Sequence, residues 1–370
     1  MTARQPRALL QLGDIDIPFE RMTLTHSGTY QAGTFDAELR SMPGNDVGQW
    51  NWWLQQSLVV LDVYAGFPVD VSNYDSRQLT RLFTVRADSI TLDPARNSLH
   101  VQGRDMTALL IDTTTSAQFQ NLTSSQVAQQ FATQSGLEAQ IQPTTQKIGT
   151  YYEADHVHTI HTQSQWAVLT YLARKEGVQC FVLGRTLYFG QFQNQAQQPY
   201  TVTFSPPTAD TAYPTSNAMS LSFERDLTLA RDVTVTVRSW NARNKRGFTV
   251  QAKTSGSQSM ASRSLSTTLP KSAAAPQAYA YTIPGLSLQE AQIRAQQLLK
   301  EISQHELRLN ASLPGDDTLF PWVPLQVSGT GTLFDTTYYV AEVTRHIAPT
   351  AFDMRVRAKN HPTETQVQLA

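Results

Sequence analysis

Three of the chain's eight histidines, His156, His158 and His161, fall within six positions of the stretch ADHVHTIH, the closest grouping of metal-seeking side chains in the sequence. Neutral imidazoles at such spacing suit a borderline-soft cation, because two or three nitrogens can reach one tetrahedral centre with little chain to order. The pattern partly resembles the HxHxDH signature of the metallo-β-lactamase fold, but Ile160 stands where that signature has Asp. Neither the βα alternation nor the downstream ligands of that fold follow. His156 and His158 read as residues on one strand face and His161 as the residue before a helix cap. A zinc-dependent hydrolase using these three residues is the alternative reading.

The other groups that could do chemistry have simpler explanations. Cys180 alternates with Val178 and Val182 on a hairpin arm, where a small buried hydrophobe is the usual role. Asp316 and Asp317 in LPGDDT fit turn chemistry rather than an acid/base pair. Gly329 and Gly331 in SGTGT lack the third glycine and following helix of a dinucleotide loop. Trp50, Trp52 and Trp53 in QWNWWLQQ could form an aromatic carbohydrate platform, a third reading, or anchor one domain or subunit on another. The expectation is no catalytic residue, no cofactor and no metal.

Bulk properties narrow the classes further. A formal charge of −1 gives no net attraction to nucleic acid or anionic membrane. Charged residues are only 16% of the chain, while Gln, Thr and Ser are abundant, a surface suited to packing against neighbours. One cysteine excludes an intrachain disulfide and a Cys-rich metal knuckle, which fits assembly in a reducing cytoplasm. The N-terminal stretch, with Asp14 and Asp16 breaking its apolar run, lacks the pattern of a signal peptide. No segment is apolar for long enough to span a bilayer as a helix, so no membrane insertion is expected.

The elements are read from periodicity. From Phe19 to about Asp112, alternating strands predict an all-β unit, a barrel or sandwich. After it, NLTSSQVAQQFATQSGL carries a capping box at Thr123 and Gln126 and a closing Gly136. A second helix follows, with Thr162 and Gln165 as its box, Trp166, Leu169, Leu172 and Ala173 as its apolar stripe, and Gly177 at its end. QCFVLGRTLYFG predicts a hairpin with Gly184 opening a type II′ turn. Residues 191–200 read as a polar connector. Strands resume in DVTVTVRSWN and RGFTVQAK, and the Ser/Ala/Thr-rich stretch 253–276 reads as a flexible loop. SLQEAQIRAQQLLKEI predicts an amphipathic helix near 287–306, boxed by Ser287 and Glu290, with Leu288, Ala291, Ala295, Leu298 and Ile302 on one stripe. In the last strand Phe352, Met354, Val356 and Ala358 alternate with charged residues. The chain is thus mainly β with an α+β insert.

Four segments in this order resemble the baseplate hub family of contractile phage tails, which includes the phage late control D proteins and the hub portion of related injection machines. They are SLHVQGRDMTALLIDTT, SQWAVLTYLARKEGVQCFVLGRTLYFG, RDVTVTVRSWN and the long run from SLQEAQIRAQQLLKEI to TYYVAEVTRHI. The resemblance implies two tail-tube-like antiparallel β-barrels, at 1–113 and 201–370, separated by a small α/β domain at 114–200. It implies a structural role with no catalytic residues: a homotrimeric ring adapting the six-fold tail tube to a three-fold spike in the virion's tail baseplate, assembled in the host cytoplasm. The partners implied are the tail tube protein, the central spike protein, other baseplate proteins and the tape measure protein. DNA would pass through the pore without specific binding.

Overall fold

The protein is described by a computed structural model covering residues 5–28, 30–40, 49–115, 119, 121–145, 163–192, 198–208, 212–227, 233–241, 246–254, 277–303, 306–321, 323–360 and 365–369. The chain is mainly β. The first region contains β1 (Arg7–Leu12), β2 (Ile15–Asp16), β3 (Phe19–Ser27), β4 (Thr34–Arg40), helix α1 (Trp50–Gln55), β5 (Val60–Gly66), β6 (Thr80–Asp93), β7 (Ser98–Asp105) and helix α2 (Thr107–Asp112). Its strands lie in the order β3-β4-β7-β6-β5-β1-β2, every neighbouring pair antiparallel. Two-residue alternation turns Met22, Leu24, Phe35, Ala37, Leu39, Leu99 and Val101 inward, each almost wholly buried. At roughly 1.5–3 kcal/mol per buried large apolar side chain, this face is the main favourable term for the region. Asp88 is an extra residue in β6, between Ala87 and Ser89, so the strand bulges against β7. A side chain on the facing Gly103 would run into the Arg86 carbonyl oxygen, which explains glycine there. The short helices α1 and α2 are additions to the all-β reading of this region.

The middle region contains β8 (Thr114–Thr115), α3 (Ser124–Gln134), β9 (Glu138–Ile141), β10 (Gln163–Ser164), α4 (Gln165–Glu176), β11 (Gln179–Leu183) and β12 (Thr186–Gly190). The Thr123 hydroxyl accepts from the Gln126 backbone N–H at 3.3 Å, and the Thr123 N–H donates to Gln126 Oε1 at 2.8 Å, the reciprocal box read from the sequence. In α4 the cap is Ser164 rather than Thr162. Ser164 is held extended by pairing of β10 with β8, and its Oγ accepts from the Ala167 N–H at 3.1 Å. Thr162 lies outside the described residues, as do the histidine cluster and the loop residues 255–276. Gly177 ends α4 in the left-handed region at φ 72°, and Gly184 opens the β11–β12 turn at φ 59°. The helices pack on β9, β11 and β12 around Phe131, Leu169, Leu187 and Phe189.

The last region contains β13 (Tyr200–Ser205), β14 (Thr215–Ser216), β15 (Ser220–Arg225), β16 (Val233–Asn241), β17 (Arg246–Thr254), β18 (Gln277–Thr282), α5 (Leu288–Ser303), β19 (Leu307–Pro314), β20 (Pro324–Ser328), β21 (Thr337–Ala348), β22 (Ala351–Asn360) and β23 (Thr365–Leu369). Four of these strands form a separate sheet, β18-β16-β17-β23, with its own core of Val233, Val235, Val237, Val250 and Ala252. Helix α5 covers this sheet and not β19–β22, inserting Ala291, Ala295, Leu298 and Leu299. Ser287 and Glu290 form its capping box. Leu288 departs from the expected stripe, 41% exposed, because the stripe in contact with the sheet begins one turn later. Replacing Leu298 by Ala should cost about 2 kcal/mol, the lower end for a buried Leu, since one edge of the residue meets solvent. Equilibrium unfolding by denaturant measures this; an unchanged midpoint would mean that α5 does not hold the sheet.

The remaining strands repeat the first region. Their order is β15-β19-β22-β21-β20-β13-β14, which matches β3-β4-β7-β6-β5-β1-β2 position for position and in sequence order. The bulge repeats as well. Ala341 is the extra residue of β21, following three residues paired with β22, as Asp88 follows three residues of β6 paired with β7. One polarity differs: β13 runs parallel to β20, whereas β1 runs antiparallel to β5. The two repeats also merge. Beyond the short β20, the same side of β21 pairs with β3, from Glu342 opposite Ser27 to Ile347 opposite Met22, making one 14-stranded sheet.

Candidate functional site

Among the described residues no group of three or more His, Cys, Asp or Glu could hold a metal ion. Cys180 is fully buried opposite Phe189, and burial pushes its thiol pKa far above the ordinary value, so it is not poised as a nucleophile. Asp316 accepts from the N–H and hydroxyl of Thr318 in a turn, and Asp317 accepts from the Thr80 hydroxyl. The tryptophans of α1 serve the core. Trp53 is 2% exposed, Trp52 meets its ring edge-on at 83°, and the Trp50 indole N–H donates to Asn97 Oδ1 at 3.1 Å. These rings do not lie flat on one open surface, as a carbohydrate platform requires.

The most unusual chemistry lies in the joint between the repeats. Arg345 on β21 is completely buried. Its Nε–H donates to the Asp316 carbonyl at 3.2 Å, Nη2 donates to the Leu319 carbonyl, and Nη1 lies 3.1 Å from His26 Nδ1 on β3. The guanidinium also stands over the Phe320 ring, 4.9 Å from its centroid. His26 Nε2 is 2.8 Å from the Leu82 carbonyl. A guanidinium can only donate and a carbonyl can only accept, so this imidazole is neutral with its proton on Nε2. Burial, with the nearby Arg345 charge, lowers the His26 pKa to about 3, and burial lowers that of Arg345 to about 10. The joint therefore carries an enclosed cation held mainly by neutral acceptors from both repeats. Arg345 and His26 lie 319 positions apart in sequence, so no local pattern could reveal their pairing.

The backbone hydrogen bonds continue across the joint. Gly28 N–H donates to the Ala341 carbonyl at the bulge, at 2.8 Å. Outward of the core, the Thr25 and Thr344 hydroxyls lie 3.3 Å apart, and Thr23 Oγ1 is 3.4 Å from His346 Nδ1. The geometry offers an edge-to-edge sheet junction between two similar units, a device for assembly.

Comparisons agree with the fold. The tail protein of Neisseria meningitidis MC58 superposes with a TM-score of 0.65 at 16% identity, over 96% of this chain and 97% of its own. The 43 kDa tail protein of prophage MuSo2 from Shewanella oneidensis gives 0.62 at 14%, over 96% and 98%. The prophage tail protein gp18 from Listeria monocytogenes EGD-e gives 0.59 at 11%, over 97% and 95%. At these identities the likeness is one of fold. No curated protein matches the sequence. A family profile described as the Alg8 N-terminal domain matches residues 74–349, well over half of the sequence, and the chain belongs to that family.

Proposed function

We propose that this protein is a structural hub of a contractile phage tail or related injection machine, in which three chains close into a ring that adapts a six-fold tube to a three-fold spike. The observation that carries this reading is the repeat of one strand order, bulge included, within a single chain. Three chains with two similar units each present six similar surfaces, while the ring itself keeps three-fold symmetry. The fold shared with phage and prophage tail proteins supports it. So does the near-neutral charge, which would not hold passing DNA. The role is non-enzymatic, and the tube, spike, tape measure and other baseplate proteins are its partners. Mass measurement of the isolated chain at rising concentration, and electron microscopy of an assembled particle, test the reading. The expected result is three copies per particle with six similar units around the pore. A copy number that is not a multiple of three, or two units on different radii, overturns it.

A further inference from the structure

We propose that β15 of one chain adds to the exposed flank of β6 in a second copy of the same chain, reproducing between chains the joint that β3 and β21 make within one. The repeat assigns both strands. β15 holds the place of β3 at the end of the sheet order, and β6 holds the place of β21. On β21 the side facing away from β22 is shared by β20 and, beyond the bulge, by β3. On β6 the corresponding side is covered by β5 only as far as Arg86. From Ser89 to Asp93 that side pairs with no strand among the described residues, and neither does the side of β15 away from β19. Two unpaired edges on one chain, whose counterparts are already joined to each other, form a head-to-tail pair.

The repeat also fixes the register. Ala358 corresponds to Gly103 through the bulges, which in turn sets Leu309 on Phe35 and Phe223 on Leu24. The pairing of Arg345 with Leu24 and Thr344 with Thr25 then becomes Leu92 opposite Phe223 and Thr91 opposite Glu224. Ile90 falls opposite Arg225 and Asp93 opposite Ser222. The Leu227 N–H takes the place of Gly28 N–H, aimed at the Asp88 carbonyl.

Burial supports this register. Met22 and Leu24 are 1% and 0% exposed inside the intrachain joint, whereas their counterparts Leu221 and Phe223 are only half-buried. Ile90 is likewise half-buried where Val343 is fully enclosed. Met219 and Leu227, flanking β15, are 60% and 72% exposed, an apolar surface that docking would cover. Arg225, which takes the place of His26, has a buried Nε–H with no hydrogen-bond partner. That the copies number three rests on the ring reading above; the strand pairing does not.

Cysteines at directly opposed positions test it. Thr91→Cys with Glu224→Cys brings together two exposed sites whose counterparts have touching hydroxyls, and opposed strand residues lie about 4.5–5.5 Å apart at Cα, within disulfide range. Oxidation of the full chain at rising concentration should give at least tenfold more interchain disulfide than either single variant or than Thr91→Cys with Ser220→Cys, displaced by four residues. Native Cys180 is too buried to contribute. A three-chain species without the enhanced link overturns the pairing and leaves the ring. A linked species closing at two or four chains overturns the ring and keeps the pairing. A chain that stays monomeric and unlinked at every concentration overturns both.

Discussion

Replacing Arg345 by Ala should destabilise the protein by about 4 kcal/mol, the range for removing one member of a buried charge network. The loss has two sources. The Asp316 and Leu319 carbonyls and His26 Nδ1 would be left in a closed interior without their donor, each costing on the order of 1–3 kcal/mol if water cannot enter. The Phe320 ring would also lose the planar group over it, leaving a void. Arg345→Lys should recover only part of this, because an ammonium cannot reproduce the fork that reaches two carbonyls and an imidazole at once. Denaturant unfolding gives the magnitude, and amide exchange gives the location: protection should fall first along Met22–Ser27 and Glu342–Ile347, where β3 meets β21. A midpoint within the error of the parent's, with protection unchanged there, would show that the guanidinium does not hold the repeats together.

Acid should loosen the same joint. His26 has a pKa near 3 in the folded chain against 6.5 for an exposed imidazole, so between those values the unfolded chain binds a proton that the folded chain refuses. The neutral form's contribution is complete above pH 6.5 and is lost as pH falls toward 3, to a total on the order of 5 kcal/mol. Asp105 works in the opposite direction. Burial raises its pKa to about 6, so the folded chain takes up a proton first and is stabilised as pH falls from 6 toward 4. Comparing the parent with His26→Gln cancels the Asp105 contribution. The variant should be less stable than the parent at pH 7, and the two stability curves should converge as pH falls from 6.5 to 3. Parallel curves over that range would mean that His26 titrates as an exposed residue.

Much of the local structure was readable in the residues. The capping boxes at Thr123 and Ser287 are satisfied within four positions, so spacing alone identifies them. The same holds for Gly177 and Gly184, whose backbone angles favour the residue without a Cβ. Met354, Val356 and Ala358 lie inward, as two-residue alternation requires. Spacing points to Thr162 as the cap of α4, but Ser164 holds that place because its pairing with Thr114, where β10 meets β8, keeps it extended. The facing of α5 was underdetermined for a similar reason: an apolar stripe demands a partner surface but does not say which sheet supplies it.

Most strand and helix positions, and the apolar side of most of them, are legible in the residues alone, because those properties depend mainly on backbone preferences and on neighbours within a few residues; α1, α2 and the cap of α4 are the exceptions. Folding alone reveals that two distant regions repeat one strand order, that β3 and β21 make them a single sheet, and that Arg345, which alternation sets on the apolar face of β21 with Val343 and Ile347, is enclosed against His26. The physical reason is that strand pairing and desolvation act on whatever is adjacent in space. A charged residue flanked by Thr344 and His346 in sequence becomes a buried lock only when two carbonyls of a nearby loop and an imidazole from the other end of the chain close around it.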